Sequence, residues 1–289
     1  LLAVPMILQN AITNLVSFLD NIMVGQLGTE QMSGVAIVNQ LIFVYNLAIF
    51  GAVSAASIFG AQYFGNGDHR GHMHSFRFKL YATLLVSGLT MLLLLTKGSD
   101  LISLYLTDTA GNGATDVARQ YGKQYLVIML VGLVPFAVNQ AYATNIKETG
   151  QTLVPMLASF VAVGTNAVLD YLLIFGVGPF PELGVTGAAL ATVIARYVEA
   201  VIVVFWAHRN REKNRYLEGA YRGFGIPVSE LKTILIKGLP LMFNEVLWAA
   251  GMTTVTQCYS VRGLDVVAGL NIATTITNLF NIVYIQLGA

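Results

Sequence analysis

Two carboxylates stand inside apolar runs of this sequence, where an ionised side chain is costly. Asp20 lies within residues 17–25, and Asp170 lies within residues 164–172, four positions after Asn166. An acid in the hydrocarbon region of a bilayer costs about 2.5–3.5 kcal/mol on insertion scales. Such a group persists where it faces a cavity, pairs with another group, or binds and releases a cation. Carboxylate and amide oxygens suit Na⁺, and desolvated acids can carry H⁺, so the pattern points to transport.

A stripe of polar side chains surrounds the first of these acids. Its members follow one another at steps of three and four and therefore share a helix face: Asn10, Thr13, Asn14, Ser17, Asp20 and Asn21. Because lipid cannot satisfy these groups, we expect the face to look into a helix bundle. The alternative for the neutral members is hydrogen bonding between helices, and the alternative for Asp170 is a buried structural carboxylate.

Three further charged residues lie within apolar runs. Glu245 follows Pro240 by five residues, and a proline inside a span permits a kink. Glu245 is a candidate contact for a second cation or for a substrate, and the alternative is a paired structural acid. Arg196 and Glu199 lie three apart, so we expect them to pair on one face of a helix.

The composition places these residues in a membrane. Hydrophobic residues make up 55% of the chain and charged residues 11%, against about 25% charged residues in soluble domains. The mean hydropathy is +0.66. The single Cys258 excludes a disulfide framework and a cysteine zinc site within the chain. We find no Walker sequence, no G-x-S-x-G and no H-E-x-x-H, so we expect neither ATP-driven transport within this chain nor an enzyme.

The apolar runs predict eight membrane-spanning helices, because about 20 apolar residues cross a bilayer core. They are Leu1–Val24, Val35–Phe59, Leu80–Leu95, Tyr125–Ile146, Leu153–Val177, Gly187–Ala207, Thr233–Tyr259 and Val266–Ala289. Eleven of the 16 Lys and Arg residues fall in loops after even-numbered runs and four in loops after odd-numbered runs. Positive loops stay cytoplasmic, so we expect a cytoplasmic N-terminus. Asp20, Asp170 and Thr192 then lie in the outer half of the membrane.

A faint repeat suggests how the runs are grouped. A shift of 235 residues places Pro5 on Pro240 and Gly28 on Gly263, which is typical of a parallel repeat about the membrane normal. We therefore expect an all-α membrane protein with a six-helix lobe at residues 1–207 and a basic cytoplasmic linker at 208–232. Residues 233–289 would begin a second, incomplete lobe, as expected for part of a longer protein.

Several phrases resemble the multidrug and toxic compound extrusion (MATE) family. Leu19–Gly28 is similar to that family's "VDTIMVGxLG" element, and Asn166–Asp170 is similar to its "N-x-x-x-D" element. Gly238–Glu245 also resembles the family, and Pro5 precedes Asp20 by fifteen residues, as the family's first-helix bend proline does. The likeness covers the whole chain, which would correspond to about two-thirds of a twelve-helix member.

The resemblance implies a secondary exporter that exchanges H⁺ or Na⁺ for amphipathic, often cationic, drugs. Its two six-helix lobes would surround a central cavity in the plasma membrane, and the coupling ion would be its only cofactor. By matching positions, Asp20, Asn166 and Asp170 would form the cation site of the first lobe, with Thr192 as a fourth member. The partners would be drugs and the lipid bilayer, without nucleic acid, and the protein would be a monomer.

For the second lobe the resemblance implies an acid that acts in Na⁺ coupling or in binding cationic substrates. Glu245 matches that acid, and we group it with Asn10 and Asn14 of the polar stripe as a candidate substrate or second cation site.

Two other functions stay open. A flippase for lipid-linked precursors or polysaccharides belongs to the same superfamily, but its polyanionic headgroups would favour several cavity cations, and Arg196 is the one intramembrane cation predicted here. A receptor, scaffold or enzyme without a transport cycle is the third possibility, and the intramembrane acids argue against it.

Overall fold

The protein is helical throughout the part of the chain that its structure, a computed structural model, describes. That part comprises residues 8–9, 19–105, 114–222, 225–260 and 277. A helical segment at 19–25 precedes the long helices, and a short 3₁₀ turn, Arg215–Leu217, follows the sixth of them. The seven long helices are α1 (Thr29–Gly65), α2 (His69–Tyr105), α3 (Ala114–Val131), α4 (Leu133–Glu148), α5 (Leu153–Phe175), α6 (Val185–Arg209) and α7 (Val228–Ser260).

Four of these helices, α1, α2, α5 and α6, are long and apolar enough to cross a membrane. Helices α3 and α4 together form a fifth candidate span, bent by 44° at their junction. The second to sixth predicted runs are therefore observed as helices, and the third is much longer than its apolar stretch. The eighth run, Val266–Ala289, lies outside the described residues except for residue 277, as do residues 10–18 of the first run.

The junction between α3 and α4 shows how the sequence bends a span. Pro135 has no N–H to donate, and its ring crowds the carbonyl four residues earlier, so a straight helix cannot pass through it. Side chains from other helices bind two carbonyls of the junction. The Tyr45 hydroxyl donates to the Leu133 carbonyl at 2.8 Å, and Arg196 Nη1 lies 3.4 Å from the Gly132 carbonyl oxygen.

Helices α1 and α3 approach each other through a pair of glycines. A Cβ atom at Gly34 would lie 2.4 Å from the Ala118 carbonyl oxygen and 2.8 Å from the Gly122 nitrogen. Both are backbone atoms, which cannot rotate away. Small residues at a helix crossing allow this close approach within a membrane, and the crossing holds α3 beside the start of α1.

We expect Gly34→Ala to lower the stability of the full-length protein by about 1–3 kcal/mol, because the added methyl group forces the two backbones apart. Thermal unfolding in detergent measures this change. Gly88→Ala is the matched control, since a Cβ at Gly88 meets nothing within 4 Å. If both variants unfold at the same temperature, the Gly34 contact does not hold the helices together.

The segment after α6 folds back onto the start of α2. The guanidinium of Arg77 is buried and donates to the carbonyls of Gly219 at 2.7 Å, Ala220 at 2.9 Å and Gly225 at 2.8 Å. Tyr216 packs against Phe76 with ring centroids 5.0 Å apart, and burial raises the pKa of its hydroxyl. The polar and aromatic contacts together dock this basic segment against the helices.

We expect Arg77→Lys to release this segment, because an ammonium group cannot reproduce the planar fork that reaches three carbonyls. Buried carbonyls left without donors should cost about 1–3 kcal/mol. Limited proteolysis between α6 and α7 should become faster, whereas the exposed Arg222→Lys should cleave like the wild type. Equal cleavage rates in the two variants would contradict this account.

Candidate functional site

A polar cavity of about 310 Å³ lies where segment 19–25, α1, α3, α5 and α6 converge. Its lining includes Asp20, Asn21, Asn39, Asn46, Tyr125, Asp170, Thr192 and Arg196. A wider groove between α4 and α6 is lined almost entirely by apolar side chains and contains no carboxylate. The smaller cavity is therefore the candidate site, because it gathers charged and amide groups from four parts of the chain and a tyrosine hydroxyl from α3.

The carboxyl groups of Asp20 and Asp170 lie side by side in this cavity. Asp170 is only 1% exposed, and Asn166, one helical turn before it on α5, is 6% exposed. Within the described residues, both carboxylate oxygens of Asp170, Oδ1 of Asp20 and Nδ2 of Asn166 are buried without a hydrogen-bond partner. Buried polar atoms are normally paired, so this group is suited to a proton or cation shared between the acids.

Neutral oxygens complete the wall of the cavity. The Tyr125 hydroxyl donates to Asn39 Oδ1 at 3.3 Å and also lies near Thr192. The Thr192 hydroxyl donates to the Ala188 carbonyl at 3.0 Å, which leaves its oxygen lone pairs available on the cavity side. A hard cation held here would meet carboxylate, amide and hydroxyl oxygens, the donor types that such ions prefer.

The amino-terminal part of the sequence matches a protein-family model. Residues 5–172, more than half of the chain, match the family model described as MatE.

The chain belongs to the MatE family.

Its curated relatives include a probable multidrug resistance protein NorM of Thermotoga maritima, 26% identical over 96% of this chain and 58% of that protein. The multidrug resistance protein MdtK of Klebsiella pneumoniae is 25% identical over 100% of this chain and 61% of its own length. A crystal structure of MATE in complex with MaL6 shares the fold, with a TM-score of 0.83 at 23% identity, over 99% of this chain and 61% of that one. The chain thus spans less than two-thirds of the length of these relatives.

MatE proteins are transporters rather than enzymes, and the apolar helices of this chain make it a multi-pass membrane protein. An outward-facing MATE transporter structure has the same fold over 99% of this chain, with a TM-score of 0.82. The all-helical prediction and the family resemblance are confirmed.

The structure brings together all four residues predicted for a cation site in this MatE chain. Asp20, Asp170 and Thr192 line the cavity, and Asn166 lies against Asp170. Their role in cation binding stays a prediction. Asn10 and Asn14 lie outside the described residues.

The second predicted site has no described geometry. Glu245 belongs to α7, which contains Pro240 as predicted, but its side chain is outside the described part of the structure. The substrate or second cation site therefore also stays a prediction.

Five polar residues of the cavity lining were not predicted as part of the site. They are Asn21 of segment 19–25, Asn39 and Asn46 of α1, Tyr125 of α3 and Arg196 of α6. Asn39 and Asn46 lie seven residues apart, or about two helical turns, so they project from one face of a mostly apolar helix. The seven-residue spacing of Asn39 and Asn46 could have indicated a polar face in the sequence. No sequence pattern marks Tyr125, because aromatic residues are common in membrane-spanning helices.

The predicted pair between Arg196 and Glu199 is wrong. The guanidinium of Arg196 lies near the Gly132 carbonyl and over the Phe136 ring, 5.1 Å from its centroid. Glu199 instead accepts a hydrogen bond from the Ser159 hydroxyl at 2.5 Å. The bend between α3 and α4 presents a carbonyl and an aromatic face to Arg196, and those contacts replace the neighbour on its own helix.

The part of the chain that the structure describes contains no group of three or more His, Cys, Asp or Glu side chains suited to a transition metal. Near the start of α2, His72 contacts the carboxyl group of Glu148 and His74 contacts that of Glu230, rather than forming part of a metal site.

Proposed function

We propose that this chain is part of a secondary exporter that exchanges H⁺ or Na⁺ for amphipathic, often cationic, drugs across the cytoplasmic membrane. The observation that carries the proposal is the pair of adjacent carboxyl groups, Asp20 and Asp170, in one polar cavity between helices. The relatives named as multidrug resistance proteins support the choice of drugs as substrates. The coupling ion is the only cofactor that this function requires.

The two acids come from different parts of the bundle, and this is why a cation there can drive a conformational cycle. Asp20 belongs to segment 19–25, whereas Asp170 and Thr192 belong to α5 and α6. Without a cation, two adjacent carboxylates repel each other; with one, they hold their helices together. A ligand shifts a conformational equilibrium only by binding its two states differently. The site must therefore change shape between the inward-open and outward-open forms.

The positions of the Lys and Arg residues indicate the orientation that we propose for the helices in the membrane. Lys147, Arg209 and the residues that follow α6 lie at one end of the helices, which we call the basic end. Positive segments stay cytoplasmic, so this end and the N-terminus would face the cytoplasm, with the cavity toward the outside. Residues 1–207 would form the first lobe, 208–232 the linker, and 233–289 the beginning of the second lobe.

Charge also favours this function over transport of polyanionic lipid precursors. The cavity contains two carboxyl groups and a single guanidinium, that of Arg196. A polyanionic headgroup would meet two acids here, and like charges at close range are unfavourable. We expect the full-length protein to act as a monomer.

Gradient-driven flux in proteoliposomes tests the proposal on the full-length protein. A pH gradient and a Na⁺ gradient are imposed separately, and uptake or loss of a fluorescent cationic dye is followed. We expect flux with at least one gradient and none when both are collapsed. Equal flux with and without gradients would reject coupled exchange, and the gradient that works identifies the ion.

A further inference from the structure

A further acid, Glu199, lies inside the helix bundle, away from the cavity. Glu199 is on α6, seven residues beyond Thr192, or about 10 Å nearer the basic end. It is partly buried and does not line the polar cavity. Among the described residues, no Lys, Arg or His nitrogen lies within 4.0 Å of its carboxyl group. It is therefore an intramembrane acid without an ion pair there.

Glu199 ends a chain of hydrogen bonds that joins three parts of the protein. The Gln9 amide donates to the Ser159 hydroxyl at 2.6 Å, and that hydroxyl donates to Glu199 Oε1 at 2.5 Å. Gln9 belongs to the first apolar run, eleven residues before Asp20, and Ser159 is eleven residues before Asp170. The first apolar run and α5, which carry the cavity acids Asp20 and Asp170, are thus connected to each other and to α6 nearer the basic end.

The surroundings of Glu199 accommodate both of its protonation states. Asn139 of α4 lies beside the carboxyl group, and its Oδ1 is buried without a hydrogen-bond partner. An amide can donate its N–H to a carboxylate or, turned over, accept from a carboxylic acid. Lys147 of α4 and Arg196 of α6 are the charged groups that face Glu199, and both lie beyond ion-pair distance.

We propose that Glu199 is a second proton-binding group of this chain, and that its proton controls the hydrogen bond that ties Gln9 to α6 through Ser159. An ionised Glu199 accepts strongly from Ser159 and tightens the connection. A protonated Glu199 weakens it and donates to Asn139 instead. Proton binding stands on its own, whereas a part in the exchange cycle rests on the proposed function.

Labelling with dicyclohexylcarbodiimide tests the proposal, because this reagent adds to protonated carboxyl groups in apolar surroundings. The full-length protein is labelled in membranes at a series of pH values, and the modified peptides are quantified by mass spectrometry. We expect an adduct at Glu199 whose rate of formation falls roughly tenfold for each pH unit above the midpoint. The adduct should persist in the D20N/D170N variant, which separates this site from the cavity.

A matched pair of variants tests the hydrogen-bond chain. Ser159→Ala removes a donor to the carboxylate, so the labelling midpoint should move to higher pH. Thr165→Ala removes another hydroxyl of α5, one that donates to the Val161 carbonyl on the exposed face, and should leave the midpoint unchanged. An identical midpoint in both variants would overturn the role of Ser159.

Label on Asp20 or Asp170 but never on Glu199, or label on Glu199 that ignores pH, would overturn the proposal. If no carboxyl group reacts, infrared spectroscopy decides. A carboxylic acid band that titrates in D20N/D170N and disappears in D20N/D170N/E199Q supports the proposal, and a spectrum without that band contradicts it. Unchanged drug export in D20N/D170N would reject the proposed cavity site while leaving the Glu199 result intact.

Discussion

Asp170→Asn should abolish cation-driven drug export by the full-length transporter while the protein remains folded in the membrane. The amide has nearly the same shape as the carboxyl group but neither carries a negative charge nor releases a proton. Asp170 is 1% exposed and adjacent to Asp20, so an anion from the solvent cannot take the place of its carboxylate. We expect a loss of at least about tenfold in gradient-driven rate, since 1.4 kcal/mol of lost cation binding already gives that factor.

Dye efflux from proteoliposomes measures the effect, and thermal unfolding in detergent shows whether the variant is folded. Asp100→Asn is the control, because the Asp100 side chain is 72% exposed and belongs to α2, which contributes no residue to the cavity lining. It should export like the wild type. A wild-type rate in D170N, or an equal loss in both variants, would contradict a cation site at Asp170.

Of the substitutions that we propose, Lys79→Met should cause the largest loss of stability. The ammonium group of Lys79 is fully buried, pairs with Glu148 and donates to Asn145 Oδ1 at 2.7 Å. Glu148 is itself 6% exposed and keeps only the His72 ring at 3.3 Å if Lys79 is removed. Breaking a buried ion pair from one side costs about 3–5 kcal/mol, because the remaining charge is buried without its partner.

Unfolding of the full-length protein in detergent measures this loss. Lys97→Met is the control, since Lys97 is 66% exposed and its ion pair with Asp100 spans 3.5 Å; an exposed pair contributes about 0–1 kcal/mol. Adding Glu148→Gln to Lys79→Met should restore part of the stability, because the double variant leaves no uncompensated charge. A double variant less stable than K79M would show that Lys79 acts through packing rather than charge.

The helices and the acids could be predicted from the sequence because both depend on short-range patterns. Long apolar runs predict spans, and the four-residue step from Asn166 to Asp170 predicts that the two side chains share a face of α5. The contact between Asp20 and Asp170 spans 150 positions of sequence, and no local pattern specifies it. Its prediction depended on the cost of two acids in a membrane and on the family resemblance.

The residues that sequence reasoning missed are those whose environment is made by other helices. Tyr125 faces the cavity because the Gly34–Gly122 crossing sets how α3 lies against α1. Arg196 turns from Glu199 because the bend at Gly132 presents a carbonyl and the ring of Phe136 to it. In the first case two glycines allow a close approach of helices, and in the second a bend changes which groups a neighbouring helix presents; both depend on contacts between helices.

Cation binding to the purified full-length protein tests the shared site most directly. Equilibrium binding of radioactive Na⁺, with protons released or taken up counted in the same sample, is compared for wild type, D20N, D170N and D20N/D170N. We predict that the wild type binds one cation at this cavity, that either single variant loses it, and that the double variant loses nothing more. Wild-type cation binding in D20N would show that the acids do not hold a common ion. So would single variants that each lose part of the bound cation, with the double variant losing the sum of the two.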